Sequence, residues 1–436
     1  MVEDDIYGSK ARHEYFMANL ASLALEPQLR RKAKGRAAKY FCKNAANLQY
    51  FRKLDTVFKA RDLSYVRRWR VFQTLLLVCN VVGKDLAECT REDINEVLAF
   101  MHSAYNSYES KETCIKDIKH IWKTLFPEKD DKGRPDETVV PYTVRHLFAR
   151  TDKSRQKMRQ DKLTWEEYEQ LLDYFNSDSR MQAYLTLSLE SLARPQELLY
   201  IRLGSVELFD NYAKLYIAEH GKEGTGLLQC IDTYPYLIKW LKEHPQRNNK
   251  NAFLFVNIGN TNTLKQLKPS NINRMIRKAC KDLNINKPVT CYSLKRNGVT
   301  MRRLRGDSDM EIQHAARWTS IKQLKTYDLS SQDEAFKKEL EKRGLIPQDS
   351  NVAGSLKAKK CMFCNTQAGF SENICPNCKR PLNRQAIIEE DKKKDQEIAQ
   401  LRQQVLSFNQ QFASMRQQMI QDMMAIALQV KNGQTP

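Results

Sequence analysis

Apolar positions recur at helical spacing over most of the chain, and one segment alternates as strands do. In residues 62–79, apolar side chains recur with a helical period and arginines occupy the positions between them. Residues 90–101 begin with a Thr-x-x-Asp sequence typical of a helix cap. A third helix is predicted over residues 111–126. Residues 211–232 instead form two predicted strands around a glycine-rich turn. The predicted fold class is mainly α (α+β), with one small antiparallel sheet.

Two interruptions of this pattern divide the chain into domains. Runs of Pro, Gly and charged residues follow the third helix and recur near residue 346. Thr164 and Glu167 form a predicted capping box where a new helical domain begins. The predicted parts are an N-terminal basic extension (1–48), a helical domain (49–127), a linker (128–161), a second domain (162–345), a linker (346–360), a cysteine module (361–382) and a long helix (386–432).

The charge balance indicates a polyanionic partner. Lys and Arg number 72 against 52 Asp and Glu, a formal net charge of +20. Nucleic acid is the commonest partner of so basic a protein. A ribosome-associated or simply lysine-rich protein is the alternative on charge alone.

Cysteine content and the terminal sequence bear on location. The N-terminus is acidic and polar, unlike a signal peptide. The longest apolar run, residues 71–82, is too short to span a bilayer, so no membrane partner is expected. The chain has 11 cysteines and no export signal, which favours a reducing, cytoplasmic location in which cysteine clusters bind metals.

The cysteine module has the spacing of a metal site. Its pattern is C-x2-C-x10-C-x2-C, formed by Cys361, Cys364, Cys375 and Cys378. Four thiolates close a tetrahedral zinc site with no open position, so structural zinc is predicted. A redox dithiol pair is the alternative, but no thioredoxin-like pattern surrounds it.

The C-terminal helix carries an apolar seam with steps of three and four residues. Such a heptad pattern predicts a coiled coil and hence a homo-oligomer, whereas docking on the helix's own domain is the alternative. Its Phe and Met residues leave the oligomer number open. The seam consists of Ile398, Leu401, Val405, Phe408, Phe412, Met415 and Met419, and it resumes after a skip at Met423, Ile426 and Val430.

A lone tyrosine, Tyr327, is a candidate nucleophile toward DNA phosphate. A phenol attacks a phosphodiester only when cations hold the phosphate oxygens and an acid protonates the leaving oxygen. Separated parts of the second domain offer such groups, although each has an ordinary structural reading as a paired, solvated or core residue. The candidates are Arg194, with Glu197 as a neighbouring carboxylate, Lys222 in the predicted turn, and Lys295 with Arg296.

The order of these groups resembles the tyrosine recombinase (phage integrase) family and, within it, the archaeal Xer-like integrases. The family box Gly-x-Arg-x-x-Glu-Leu is matched by "LARPQEL", with Arg194 and Glu197. The box Leu-Gly-His/Trp-Ser-Ser is matched by "ARWTS", with Trp318, and Tyr327 follows nine residues later as in the family. The likeness extends over roughly residues 50–345.

The second box departs from the family pattern. The family has His-x-x-Arg, whereas "YSLK" places Tyr292 and Lys295 at those two positions. Arg296 is adjacent and offers the guanidinium if the helix starts one residue away. The resemblance thus leaves open whether Lys295 or Arg296 takes the second Arg position.

The resemblance implies a fold, a reaction and partners. The fold is a SAM-like core-binding domain and a catalytic domain forming a C-shaped clamp on duplex DNA, with homo-tetramers assembling on two sites. Tyr327 would form a 3′-phosphotyrosyl bond, with no ATP and no catalytic metal. Arg194 and Lys295 or Arg296 would hold the phosphate, Lys222 would protonate the leaving oxygen, and Trp318, Tyr292 and Glu197 would position them. A catalytically weakened DNA-binding protein and a type IB topoisomerase are the alternatives.

Overall fold

The structure is a computed structural model and describes residues 6–29, 39–148, 160–217, 224–259, 263–347, 358–382 and 384–431. The chain divides into two compact units, Met1–Arg159 and Gln160–Pro436. None of the helices in the described residues combines the length and the apolar character that crossing a bilayer requires.

The first unit is helical. Its chain also forms two antiparallel two-residue strands, β1 (Glu128–Lys129) and β2 (Pro135–Asp136). Its helices in the described residues are α1 (Ser9–Ala18), α2 (Leu48–Ala60), α3 (Tyr65–Val81), α4 (Arg91–Ala104), α5 (Tyr108–Leu125) and α6 (Tyr142–Arg145).

Helix α3 lies at the centre of this unit because residues 71–79 are all buried. Helices α1, α2, α4 and α5 pack around it. The predicted cap of α4 is present, since Thr90 and Asp93 bond reciprocally. Helix α1 also joins the core through Phe16, within the segment predicted as an extension. Because the buried residues of α1 include only one apolar side chain, α1 shows no apolar period in the sequence.

The second unit is also mainly helical, and it contains a three-stranded sheet. Strands β3 (Val206–Leu208), β4 (Ala213–Ile217) and β5 (Gly226–Cys230) lie between its helices. The helices are α7 (Trp165–Tyr174), α8 (Ser179–Ser191), α9 (Pro195–Leu199), α10 (Tyr234–Glu243), α11 (Pro269–Asp282), α12 (Cys291–Arg305), α13 (Asp309–Ala316), α14 (Leu324–Tyr327) and α15 (Gln332–Lys342).

Helix α8 is the central element of the second unit, and every one of its residues is buried. It packs against α10 and α12. Gly298 permits the close crossing with α12, because a Cβ at this position would lie 2.2 Å from the carbonyl oxygen of Leu189. The predicted capping box of Thr164 and Glu167 begins α7.

The sheet is antiparallel, with strand order β3-β4-β5. Leu215 on β4 pairs with Leu228 on β5 and with Val206 on β3. The sequence pattern predicts β4 and β5 but not β3, whose three residues do not alternate between buried and exposed positions. The fold class predicted from the sequence, mainly helical with a small antiparallel sheet, is confirmed.

The C-terminal part of the second unit holds two further features. Strands β6 (Lys359–Lys360) and β7 (Gln367–Ala368) pair within the cysteine module. Helix α16 (Arg384–Lys431) is 48 residues long, roughly 72 Å at about 1.5 Å per residue. Its described apolar side chains are exposed, from Ile398 to Ile426.

Candidate active site

The corner between α8 and α9 carries Arg194 and Glu197. Leu192 adopts a left-handed conformation (φ 52°) that ends α8, and Pro195 is the first residue of α9. The backbone N–H of Arg194 donates to Glu197 Oε2 at 2.7 Å, and Arg194 Nη1 donates to Glu197 Oε1 at 3.2 Å. Both side chains are buried. Arg194 is therefore fixed at the start of α9 by its pairing with Glu197.

A second arginine, Arg317, shares this carboxylate. Its Nη2 lies 2.7 Å from Glu197 Oε2, so one buried carboxylate forms ion pairs with both Arg194 and Arg317. Arg317 follows α13 in the left-handed region, with φ 55°. It is absent from the predicted site. The sequence nevertheless carries a signal, because the box that "ARWTS" resembles has Gly where this chain has Arg317.

Lys295, Trp318 and Tyr327 meet at one place. Lys295 on α12 and Trp318 after α13 are buried, and Tyr327 at the end of α14 is half-buried. Lys295 Nζ lies 5.2 Å from the centre of the Tyr327 ring and 5.5 Å from that of Trp318. The two ring centres are 5.2 Å apart. A cation within about 6 Å of an aromatic face is attracted to it, so both rings hold the ammonium.

Arg296 has a different partner. It forms an ion pair with Asp161, which also accepts a hydrogen bond from Ser293 Oγ at 2.7 Å. Burial acts to raise the pKa of Asp161, but the bonds from Arg296 and Ser293 outweigh it and leave this pKa below its usual range. The structure thus brings Lys295, and not Arg296, beside Tyr327. Tyr292 is half-buried one turn before Lys295 on α12.

The two residues that follow Tyr327 are attached to α12. Asp328 Oδ2 forms an ion pair with Arg303 Nε at 3.0 Å. The backbone N–H of Leu329 donates to Thr300 Oγ1 at 2.9 Å. Arg303 and Thr300 both belong to α12, the helix of Lys295. Tyr327 and Lys295 are therefore both positioned by α12.

The indole of Trp318 keeps a hydrogen-bond donor available. Its Nε1 is buried and has no hydrogen-bond partner among the described residues. Buried indole N–H groups ordinarily find an acceptor. An anion beside Tyr327 would supply one and would meet the positive charge of Lys295. Such an arrangement suits a phosphodiester, whose oxygens accept charge-assisted hydrogen bonds.

Lys222 lies outside the described residues. The strands on both sides of it, β4 and β5, are described and pair as a hairpin. Gly226, the first residue of β5, faces Arg317, because a Cβ built on Gly226 would lie 2.8 Å from Arg317 Cδ. The β5 end of this hairpin thus reaches the arginine that pairs with Glu197.

Both the sequence and the fold of this chain resemble those of known proteins. Residues 161–334 match the model described as "Phage integrase family". This segment is a phage integrase family domain. All of the predicted catalytic residues fall within its limits. No curated protein matches the sequence.

Solved recombinase structures share the fold at low identity. A XerH site-specific recombinase bound to a palindromic difH substrate is 15% identical and has a TM-score of 0.52, with 77% of this chain and 95% of that chain covered. A lambda integrase dimer on a COC′ core site is 16% identical, with 72% and 85% covered and a TM-score of 0.51. The Tn1549 transposon integrase on transposon right end DNA is 11% identical, with 68% and 99% covered and a TM-score of 0.51.

Beyond the integrase family domain, the four predicted cysteines come together. All four Sγ atoms of Cys361, Cys364, Cys375 and Cys378 lie within 4.8 Å of one another. Two pairs are 3.5 Å apart. Tetrahedral zinc with bonds of about 2.3 Å to sulfur requires sulfurs roughly 3.8 Å apart, so these four cysteines can bind a metal such as zinc.

The backbone of the cysteine module also fits a metal. The N–H of Asn365 donates to the carbonyl of Cys361, and the N–H of Lys379 donates in the same way to that of Cys375. Asn365 (φ 55°) and Lys379 (φ 60°) both adopt the left-handed conformation directly after the second cysteine of each pair. The hydroxyl and backbone N–H of Thr366 lower the pKa of Cys364 to about 6, which favours the thiolate that metals bind.

The cysteine module packs on the integrase family domain. Phe370 contacts the rings of Trp165 and Tyr168 on α7 and of Tyr236 on α10. The hydroxyls of Tyr236 and Ser371 lie 2.6 Å apart. Because Phe370 is buried, the module covers apolar surface of α7 and α10 that would otherwise meet water.

Proposed function

We propose that this chain is a site-specific DNA recombinase that cleaves and rejoins duplex DNA through a 3′-phosphotyrosyl intermediate. The observation that carries the proposal is the contact of Lys295 Nζ with the rings of Tyr327 and Trp318. The net charge of +20 and the phage integrase family domain support a DNA substrate. The structural relatives named above include recombinases bound to DNA.

In the proposed cleavage step, the phenol oxygen of Tyr327 attacks the scissile phosphorus. The bond from the tyrosine oxygen to phosphorus forms, the bond from phosphorus to the 5′-oxygen breaks, and the phenol proton passes to solvent water. Lys222 gives a proton to the leaving 5′-oxygen. Rejoining reverses these bonds when a 5′-hydroxyl attacks the phosphotyrosine. The covalent phosphotyrosine stores the energy of the broken phosphoester bond, so the chemistry requires neither ATP nor a catalytic metal.

The cations and donors hold the phosphate. Arg194 binds the non-bridging oxygens, and Glu197 orients it through their mutual pairing. Lys295 takes the position of the second family Arg as a point charge, because Arg296 is engaged by Asp161. Trp318 donates from Nε1 to the phosphate, and Tyr292 lies one turn from Lys295 on the same face of α12.

The test is capture of the covalent intermediate. The full chain is incubated with nicked duplexes made from a fragment pool of genomic DNA, so that cleavage releases a short strand and traps the enzyme. A protein–DNA adduct that survives denaturation is expected from the wild type and not from Tyr327→Phe. Tyr174→Phe is the matched control, since Tyr174 bonds Asp282 away from the proposed site.

The outcomes also separate the alternatives. An adduct accompanied by strand exchange between two duplexes supports a recombinase. An adduct with relaxation of supercoils but no exchange would favour a type IB topoisomerase. Salt-sensitive DNA binding without any adduct would indicate a catalytically weakened DNA-binding protein and refute the proposed activity.

Two further parts of the proposal concern the cysteine module and helix α16. The cysteine module holds a structural zinc ion, which its four thiolates would enclose. Helix α16 associates with α16 of other copies through its exposed seam, and this coiled coil assists a homo-tetramer on two DNA sites in the cytoplasm. Among the structural relatives, lambda integrase is described as a dimer bound to a core site.

A further inference from the structure

Arg317 occupies a backbone position that is unfavourable for arginine. It lies directly after α13 with φ 55°, in the left-handed region that glycine adopts without steric penalty. The C′ residue of a helix is most often glycine for this reason. The positive φ of Arg317 therefore carries a steric cost that glycine at this position would avoid.

The side chain of Arg317 is nearly buried and incompletely satisfied. Its exposed fraction is 11%, and Nη2 forms the ion pair with Glu197. Nε and Nη1 have no hydrogen-bond partner among the described residues, and the 2.7 Å contact of Nη2 with Glu197 Oε2 lacks the geometry of a hydrogen bond. A guanidinium carries five N–H donors, and leaving buried donors unbonded is costly. One carboxylate shared with Arg194 therefore leaves Arg317 with unused donor capacity.

Arg317 is placed beside the groups that would surround the scissile phosphate. It precedes Trp318, whose Nε1 is also an unbonded buried donor among the described residues. It shares Glu197 with Arg194, and it packs on Gly226, the first residue of β5. Arg296 is held by Asp161, so the cation that α12 places beside Tyr327 is the ammonium of Lys295.

We propose that Arg317 is a catalytic residue that donates its free guanidinium N–H groups to the non-bridging oxygens of the scissile phosphate. The inference rests on the recombinase function proposed above. The ammonium of Lys295 cannot bond two phosphate oxygens with the planar geometry of a guanidinium. In this chain Arg317 supplies that guanidinium instead. Glu197 holds both arginines, and phosphate binding completes the hydrogen bonds of Arg317.

The role of Arg317 is tested with the full chain and the variants Arg317→Gly, Arg317→Lys and Arg343→Ala. Glycine suits the backbone at residue 317, so this variant should fold. Arg343→Ala removes one positive charge from an exposed pair with Glu339 and is the charge control. Cleavage is measured as the single-turnover rate of adduct formation, and DNA affinity is measured separately.

Arg317→Gly is expected to slow cleavage by about 100-fold, the usual effect of removing one donor to a transition-state oxyanion, while DNA affinity falls by less than about fivefold. Millimolar guanidinium ion should restore part of the cleavage rate of Arg317→Gly. The cleavage rate of Arg317→Lys should be higher than that of Arg317→Gly and lower than that of the wild type. Cleavage by Arg317→Gly within threefold of the Arg343→Ala rate would overturn the proposal, as would a slow rate without guanidinium rescue.

A second readout separates this proposal from the recombinase function. Inorganic phosphate at constant ionic strength is expected to raise the melting temperature of the wild type and to have a smaller effect on Arg317→Gly. If the wild type forms no adduct, the recombinase function fails and the phosphate result alone decides whether Arg317 binds phosphate oxygens. An equal phosphate effect on both proteins would overturn the Arg317 proposal.

Discussion

The ammonium of Lys295 lies 5.2 Å from the ring centre of Tyr327, whereas its neighbour Arg296 pairs with Asp161. Successive residues on a helix point about 100° apart, so only one of the two can face Tyr327. This places a buried point charge beneath the proposed nucleophile. The charge and the tyrosine are both fixed by α12, since Arg303 and Thr300 hold the residues after Tyr327.

Replacing Lys295 by Met should separate activity from stability. We expect adduct formation to fall by about 100-fold, because a fixed cation beside the developing charge is lost. The free energy of unfolding should stay equal or rise, because an apolar side chain of similar volume replaces a buried charge. Lys287→Met, which removes the half-buried partner of Glu167, is the matched control. Unchanged cleavage by Lys295→Met would contradict its assigned role.

The pair of Asp161 and Arg296 should act on stability. Because its pKa is lowered in the folded state, Asp161 contributes stability above its unfolded pKa, about 3.9, and this contribution is lost as the pH falls through the folded pKa. Asp161→Asn should cost about 3 kcal/mol at pH 7 by leaving Arg296 without its carboxylate. Urea unfolding between pH 7 and pH 3 measures both effects. As the pH is lowered, the free energy of unfolding should fall less steeply for Asp161→Asn than for the wild type.

Gly298→Ala tests the crossing of α8 and α12. The added Cβ would lie 2.2 Å from the carbonyl oxygen of Leu189, so the helices must separate. We expect a loss of about 1–3 kcal/mol in the free energy of unfolding. Cleavage should also slow, because α12 carries Lys295. Gly259→Ala is the control, since nothing lies within 4 Å of its added Cβ. Equal stability of the two variants would refute the close crossing.

Removing metal from the cysteine module should also lower the thermal stability of the integrase family domain. Metal chelation or Cys375→Ser should release Phe370 from Trp165, Tyr168 and Tyr236 and lower the melting temperature of the whole chain. Phe370→Ala should lower it while keeping the metal content near one zinc per chain. Protein purified without chelator but lacking metal would refute the zinc site.

The seam of α16 is tested by solution mass. Truncation after residue 385 should lower the mass measured by light scattering, because the exposed apolar seam is removed. Val405→Asp should do the same within the full chain. Gln403→Asp introduces the same charge off the seam and should leave the mass unchanged. An unchanged mass for both Val405→Asp and the truncation would refute self-association through α16.

Local pattern in the sequence was sufficient for several helices, for β4 and β5, and for the cysteine module. The caps at Thr90 and Thr164 form as predicted, because they depend on residues three positions apart. The four cysteines converge because paired knuckles are local structures. By contrast, α1 and β3 are held by tertiary packing and carry no period of their own, so the sequence did not predict them.

For the candidate site, the sequence by itself determined which residue types were present and in what order: an arginine with a carboxylate three residues later, and a tryptophan nine residues before a tyrosine. Only the tertiary structure decided which cations face that tyrosine. The rotation of α12 directs Lys295 toward Tyr327 and Arg296 toward Asp161, and the left-handed turn after α13 brings Arg317 to Glu197. Pairings between residues this far apart in the sequence depend on helix packing, which no local pattern encodes.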